Sequence, residues 1–284
     1  MSRRTIALVV LVAAGLGMLL YPTASNWFAV RSQASELTGY SQAIDTLPTA
    51  AQQQMLADAE AYNAALATGT VGRDEATDDA YRSNLAPQPG DVMAEVTIPS
   101  LGITLPIYHG TSDATLARGV GHLYGTALPV GGVGTHAVLS GHSGLVNAEL
   151  FTHLEDLKIG DLFSVDVVGR RLVYQVDHIA AVDPHDDRLI QPDPTQDYVT
   201  LLTCTPTGVN SYRLLVRGHR VLPVSTSQEQ QVIAGRDVHA GFPWWGVEFG
   251  GAVAAAFVLG RWLDRGPRRE VSAAPPRVGA HHVR

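Results

Sequence analysis

Cys204 is the only cysteine among 284 residues, and it stands in the run TLLTCTPTGVNSYRLLVRGHR, residues 200–220. A single thiol has no internal partner, so it is either a small buried apolar group or a nucleophile. In an exported domain a second cysteine would also risk trapping a nucleophile as a disulfide. Period-two alternation sets Thr200, Leu202 and Cys204 on one face, and the Thr205-Pro206 step must end their strand. A thiol at a strand end, beside a loop, is accessible. It reacts as the thiolate, which neighbouring cations favour. Arg213, Arg217 and Arg220 all follow on the next strand-like run. Arg213 and Arg217 share a face but lie about 13 Å apart, so only one of them can sit beside the sulfur.

Thiol chemistry at neutral pH also needs an acid and base, and histidine is the side chain suited to it. Of the eleven histidines, His142 follows the strand-like THAVLS in SGHSG, between Gly141 and Gly144. His109 (YHG) and His122 (GHLYG) also occupy Gly-rich turns, so the residues alone leave all three open. His281 and His282 fall in a basic tail at the far end. With no second cysteine, no HExxH and no paired-His helix motif, neither a metal nor a cofactor is expected.

The elements that must position these groups are mostly strands. MAEVTIP, TLPIYHG, THAVLS, DLFSVDVVG, RRLVYQVDHIAAV, DYVTLLTC and YRLLVRGHRVL are β-branched or alternating, and Gly, Pro or Asp separates most of them. Many short strands with turn signals predict a mainly β fold, a closed barrel. Only Glu149–Leu157 reads as helical within that region. Ahead of it, Trp27 to about Thr68 is rich in helix formers and should break at Pro48, with Thr46 and Thr49 as cap candidates. Met55, Ala59, Tyr62 and Leu66 form one stripe that predicts docking on the barrel. Residues 69–90 and 225–241 read as a polar loop and a polar linker.

Both ends carry apolar segments. Arg3 and Arg4 precede Ile6–Tyr21, which is either a retained anchor or a signal peptide with Ala24 available for cleavage. Phe242–Leu263 is apolar apart from Glu248 and Arg261, carries Trp244, Trp245 and Trp262, and is followed by Arg265, Arg268 and Arg269. The positive-inside rule puts both termini in the cytoplasm and the intervening domain outside the cell membrane. The net charge of -7 leaves no overall basic footprint for nucleic acid.

TLLTC with Arg213 nine residues beyond the cysteine resembles the signature of sortases, membrane-anchored cysteine transpeptidases. VTIPSLGITLPIYHGTSDATLARGVGHLYGTALPVGG, THAVLSGHSGL, LFTHLEDLKIGD and TLLTCTPTGVNSYRLLVRGHRV resemble, in order, the pilus-assembling class C members over about residues 92–222. The resemblance implies an eight-stranded sortase-type β-barrel, with Cys204 as nucleophile, His142 as acid/base and Arg213 as the cation stabilising oxyanion or substrate. It also implies a C-terminal membrane segment, LPXTG-like sorting signals as substrates and a pilin lysine as acceptor. The rivals are a sortase that uses a cell-wall peptide amine and a non-catalytic, membrane-held pilin assembly factor. Class C members carry a lid with an Asp-Pro-aromatic motif. Here Asp79-Ala80-Tyr81 keeps only the acid-x-aromatic order, so either Asp79 and Tyr81 form a degenerate lid, or Tyr81 matches the residue just after the lid and the plug is missing. The expected organisation is a signal or transmembrane segment (1–24), a helical extension with the candidate lid (25–90), the catalytic barrel (91–224), a linker (225–241), a transmembrane helix (242–264) and a basic cytoplasmic tail (265–284).

Overall fold

The strands are β1 (Ala94–Ile98), β2 (Ile103–His109), β3 (Val120–His122), β4 (Thr135–Ser140), β5 (Leu162–Val167), β6 (Arg170–Val182), β7 (Asp197–Thr205) and β8 (Tyr212–Arg220). The structure, a computed structural model, describes residues 2–70, 74–87, 90–145, 148–234 and 240–264. The strands close into a barrel in the order β1-β2-β3-β4-β7-β8-β6-β5. The β2–β3 and β4–β7 pairs are parallel and the others antiparallel. Val96, Ile98, Ile107, Leu139, Phe163, Val165, Leu201 and Val216 are all buried in its core.

The seven strand-like runs of the sequence are all strands here. The eighth, β3, is too short to show alternation and has Gly121 at its centre, so pattern reading missed it. The expected helix at Glu149–Leu157 is only a 3₁₀ turn, Leu154–Asp156. Leu150 takes φ 34°, outside the helical region, and the segment turns Phe151 and Leu154 into the core. The polar linker is also partly structured, as helix Thr226–Ala234, in which Val232 alone is buried. One apolar anchor on a polar helix leaves no stripe for sequence reading to find.

Before the barrel, α1 (Arg3–Thr46) and α2 (Thr49–Ala67) flank Pro48 as expected. Helix α1 runs unbroken through Ala24, across the boundary expected between residues 24 and 25. Neither Thr46 nor Thr49 caps the junction. Pro48 is the N-cap of α2 without a side-chain bond, and Gln52 Nε2 donates to the carbonyls of Ile44 (2.9 Å) and Leu47 (3.2 Å). The extension packs on the barrel through Leu37, Tyr40, Ile44, Leu56, Ala59 and Tyr62. Within the expected stripe, Ala59 and Tyr62 are buried, while Asn63 takes the place expected of Leu66. Asn63 donates to the Leu128 carbonyl (3.0 Å) and accepts from the Leu128 N–H (2.7 Å).

A short helix, α3 (Asp79–Ser83), fastens the end of this extension. Asp78 caps it by accepting from the Tyr81 N–H, and takes the hydroxyls of Tyr62 and Tyr124, both at 3.0 Å. The Tyr81 hydroxyl lies 2.9 Å from His122 Nδ1 and accepts from the Gly110 N–H at 3.0 Å. His122 Nε2 donates to the Ala127 carbonyl at 2.8 Å, which leaves Nδ1 as the acceptor for Tyr81.

Residues 2–21 of α1 and a last helix, α4 (Trp244–Asp264), form a separate unit. Both helices are long and apolar enough to cross a membrane. Val10, Leu11, Met18 and Leu19 on α1, and Val258 and Leu259 on α4, are exposed. Thr5 donates to the Gly260 carbonyl (3.1 Å), and Ser2 Oγ to Asp264 (2.5 Å).

Burial pushes His109 and His122 down from 6.5 to about 4. The folded chain keeps both rings neutral, whereas the unfolded chain protonates them below about 6.5. Their contribution to stability is thus complete above that pH and is lost as the pH falls toward 4. Thermal unfolding of the full-length protein in detergent should shift downward across that window, with both imidazoles neutral by NMR at about pH 5. A ring that protonates above about pH 6 would contradict the assignment. Tyr81→Phe should lose about 1–3 kcal/mol in a urea titration, because the Gly110 N–H is left without its acceptor.

Candidate active site

Strand β7 sends alternate side chains to opposite sides of the sheet. Val199 and Leu201 enter the core, whereas Leu202 and Cys204 lie half-buried on the outer face. The antiparallel β7–β8 register sets Cys204 opposite Arg213, Leu202 opposite Leu215 and Thr200 opposite Arg217. Directly paired residues project from the same face, so Arg213 is the arginine beside the thiol. The other two are engaged elsewhere. Arg217 makes a bidentate pair with Asp177 at 3.0 and 3.2 Å and covers the Tyr198 ring, and Arg220 lies over Tyr174. Arg213 has no carboxylate partner among the described residues. Its Nη1 donates to the carbonyls of Asn210 and Tyr212, both at 3.3 Å, which holds the guanidinium at the β7–β8 turn.

His142 reaches the same place from the other edge of β7. The parallel β4–β7 ladder pairs Thr135 with Asp197 and ends with Ser140 opposite Leu202, a constant offset of 62 residues. His142 and Cys204 also differ by 62 (204 minus 142), so the same register brings them level. Three hydrogen bonds carry the pairing past the strand end. The Gly141 N–H donates to the Leu202 carbonyl (3.0 Å), Thr203 Oγ1 to the Gly141 carbonyl (2.7 Å) and Ser143 Oγ to the Cys204 carbonyl (2.6 Å). Behind the histidine, the Phe151 N–H donates to the His142 carbonyl at 3.0 Å. His109 and His122, the alternatives the residues left open, are both engaged with Tyr81 at the ends of β2 and β3.

The backbone registers therefore set Arg213 opposite Cys204 on one edge of β7 and the His142 loop, just past the end of β4, along the other. The structure places Asp79 and Tyr81 otherwise. Asp79 is exposed and pairs with Arg82 at 2.6 Å, while Tyr81 is fully buried among Tyr62, His109, His122 and Tyr124. His281 and His282 lie outside the described residues. A concavity of about 660 Å³ lies elsewhere, between α2 and the loops around Gly131–Thr135 and Pro192–Pro194. Sequence reasoning passed over Ser143, Thr203 and Phe151. Ser143 and Thr203 were visible only as hydroxyls flanking His142 and Cys204, and their partners depend on a parallel pairing that spacing does not encode.

A thiol, an imidazole and a guanidinium gathered at one end of a closed barrel define a class, the cysteine acyl-transfer enzymes. The comparisons narrow it. The model of the sortase domain matches residues 96–221. Sortase SrtE1 of Streptomyces coelicolor is 33% identical over 148 residues, 47% of this chain, and the chain spans only 42% of that relative's length. Among solved structures, a lid mutant of sortase A from Corynebacterium diphtheriae is 46% identical with a TM-score of 0.59, over 64% of this chain and 100% of that one. Sortase C1 from Streptococcus agalactiae is 40% identical with a TM-score of 0.63, over 66% and 98%. Sortase C of Clostridium perfringens, solved with the C-terminal cell wall sorting motif, is 41% identical with a TM-score of 0.61, over 66% and 98%. The chain belongs to the sortase family, whose members are cysteine transpeptidases.

Gly141 is a position the site cannot fill. A Cβ there would stand 2.7–3.2 Å from the Phe151 ring, a rigid group that cannot swing aside. Gly141→Ala should lower stability by about 1–3 kcal/mol through overpacking, measured by urea titration. A variant as stable as the parent would show that the loop gives way freely.

Proposed function

We propose that the chain is a membrane-anchored cysteine transpeptidase of the class C type, which cleaves an LPXTG-like sorting signal and joins the new end to a pilin lysine. The observation that carries the chemistry is the double register on β7: Arg213 paired with Cys204 on one edge and His142 level with it on the other. The similarity to sortase C1 and sortase C structures supports the narrower class. The two long apolar helices support anchoring. Arg3 and Arg4, with the basic run after α4 (Arg265, Arg268 and Arg269), support cytoplasmic termini and an external catalytic domain. On this reading, residues 91–224 are the catalytic domain.

The thiolate of Cys204 attacks the carbonyl carbon of the threonine-like residue in the sorting signal. Arg213 stabilises the charge that gathers on the carbonyl oxygen. As the intermediate collapses, the carbon–nitrogen bond breaks and protonated His142 gives its proton to the departing amine. A thioacyl group remains on Cys204. The acceptor amine then attacks that carbonyl and loses a proton to His142, and the sulfur departs as thiolate. The net change exchanges one amide for another, so no oxidant or hydrolytic water is needed.

The test is full-length protein in detergent with an LPXTG-type peptide and either a lysine-bearing pilin domain or a wall-peptide amine. Cys204→Ala should abolish joining, and Arg213→Lys should lower kcat about a hundredfold, the scale of one lost oxyanion donor. Joining by Cys204→Ala, or full rate in Arg213→Lys, contradicts the mechanism. Preference for the wall-peptide amine overturns the pilus role alone.

A further inference from the structure

We infer that Ser143 is a positioning residue for the acyl transfer, its hydroxyl clamping the Cys204 main chain to the His142 loop. The inference rests on the roles proposed above for Cys204 and His142. In a parallel pair, successive N–H donors on one strand meet every second carbonyl on its neighbour. Here the Gly141 N–H meets the Leu202 carbonyl at 3.0 Å, and the next donor and acceptor in that series are the Ser143 N–H and the Cys204 carbonyl. The chain leaves the sheet at this point. The Gly144 N–H donates to Thr152 Oγ1 at 3.0 Å and the Phe151 N–H to the His142 carbonyl, so the loop folds back on itself. The Ser143 side chain takes over from the lost backbone donor and reaches the Cys204 carbonyl at 2.6 Å. Ser143 is only 8% exposed, so water is a poor substitute for it.

The clamp has a chemical consequence. Cys204 lies next to the end of β7, where strands fray, and β8 holds it from one edge only. With Ser143 attached, it is held from both edges, and the residue adjacent to the catalytic imidazole provides the second hold. Removing the hydroxyl leaves an acceptor unpaired and frees the sulfur and the imidazole to drift apart. A misplacement on the ångström scale costs orders of magnitude in rate. Thr203 braces the same junction but bonds to Gly141, one step from either reacting group.

The experiment compares parent, Ser143→Ala and Ser143→Thr as full-length protein in detergent. Two readouts are used: peptide joining, and the pH profile of Cys204 alkylation by iodoacetamide, which needs no substrate. Ser143→Ala should lower kcat about tenfold with KM within about twofold, and should displace the alkylation profile. Ser143→Thr, which keeps the hydroxyl, should restore both. An unchanged kcat and profile overturns the inference, as does a lower Tm with the profile intact, or a threonine variant no better than alanine. Should Ser143→Ala not fold, the Ser143 hydroxyl proton is observed by NMR in the parent, and fast exchange with water overturns the clamp. If Cys204→Ala joins peptides as fast as the parent, the transpeptidase reading fails instead, and the alkylation profiles still report on the clamp.

Discussion

The parallel pairing of β4 with β7 is the constraint on which the site depends. Strands so paired cannot be joined by a tight turn, and here the connection contains β5 and β6. His142 and Cys204 therefore stand at the ends of strands joined by a long excursion, and only the register brings them level. A slip of one residue would turn Cys204 into the core and Leu201 outward. Val199 and Leu201, both buried, make that slip costly, since each removes apolar surface from water. The core thus enforces the register of the proposed catalytic groups from the opposite face of the strand. Pairing of the opposite edge of β7 with β8 then fixes which arginine meets the sulfur.

The extension is attached by different means. Alongside its apolar stripe it carries polar groups whose partners lie on the barrel: Tyr40 donates to the Met93 carbonyl and accepts from the Val168 N–H, and Asn63 and Tyr81 likewise make paired contacts. Each such bond contributes a net ~1 kcal/mol, but an unmade one leaves a buried polar group unpaired. That asymmetry makes polar contacts poor glue and good register marks. The extension can bury its apolar stripe in many ways, but it satisfies these groups in one. Tyr81 is the clearest case, since its hydroxyl joins α3 to the turn after β2 and to His122 on β3.

What the sequence disclosed follows the range of the interactions. Cys204 and Arg213 belong to consecutive strands with one turn between them, so spacing showed that only one of Arg213 and Arg217 could sit beside the sulfur, and the resemblance named Arg213. His142 belongs to a strand paired at long range, and spacing left it level with His109 and His122 until the resemblance separated them. Seven strands were legible because each is long enough to alternate. Strand β3 is not, and its place between β2 and β4 is set wholly by its neighbours. The segment Glu149–Leu157 has helical spacing, but a positive φ at Leu150 breaks the helix so that Phe151 can sit under Gly141. There the demand of the site overrides the local pattern.

The position of the thiol resolves a conflict between two requirements. On the proposed function, the nucleophile must be held to within a fraction of an ångström, which favours the middle of a sheet, and it must be reached by a polypeptide, which favours a loop. Cys204 meets both because its main chain and side chain are treated differently. The main chain still lies in the ladder, with Arg213 opposite, while the side chain points to the outer face at the strand end. His142 makes the complementary compromise: it is already off the sheet, but hydrogen bonds on either side of it tie it to β7 and to Phe151. Chemistry at such a junction needs no opening in the barrel core. The core can therefore be packed for stability alone, and the loops that meet at this end are left to determine which polypeptide reaches the sulfur.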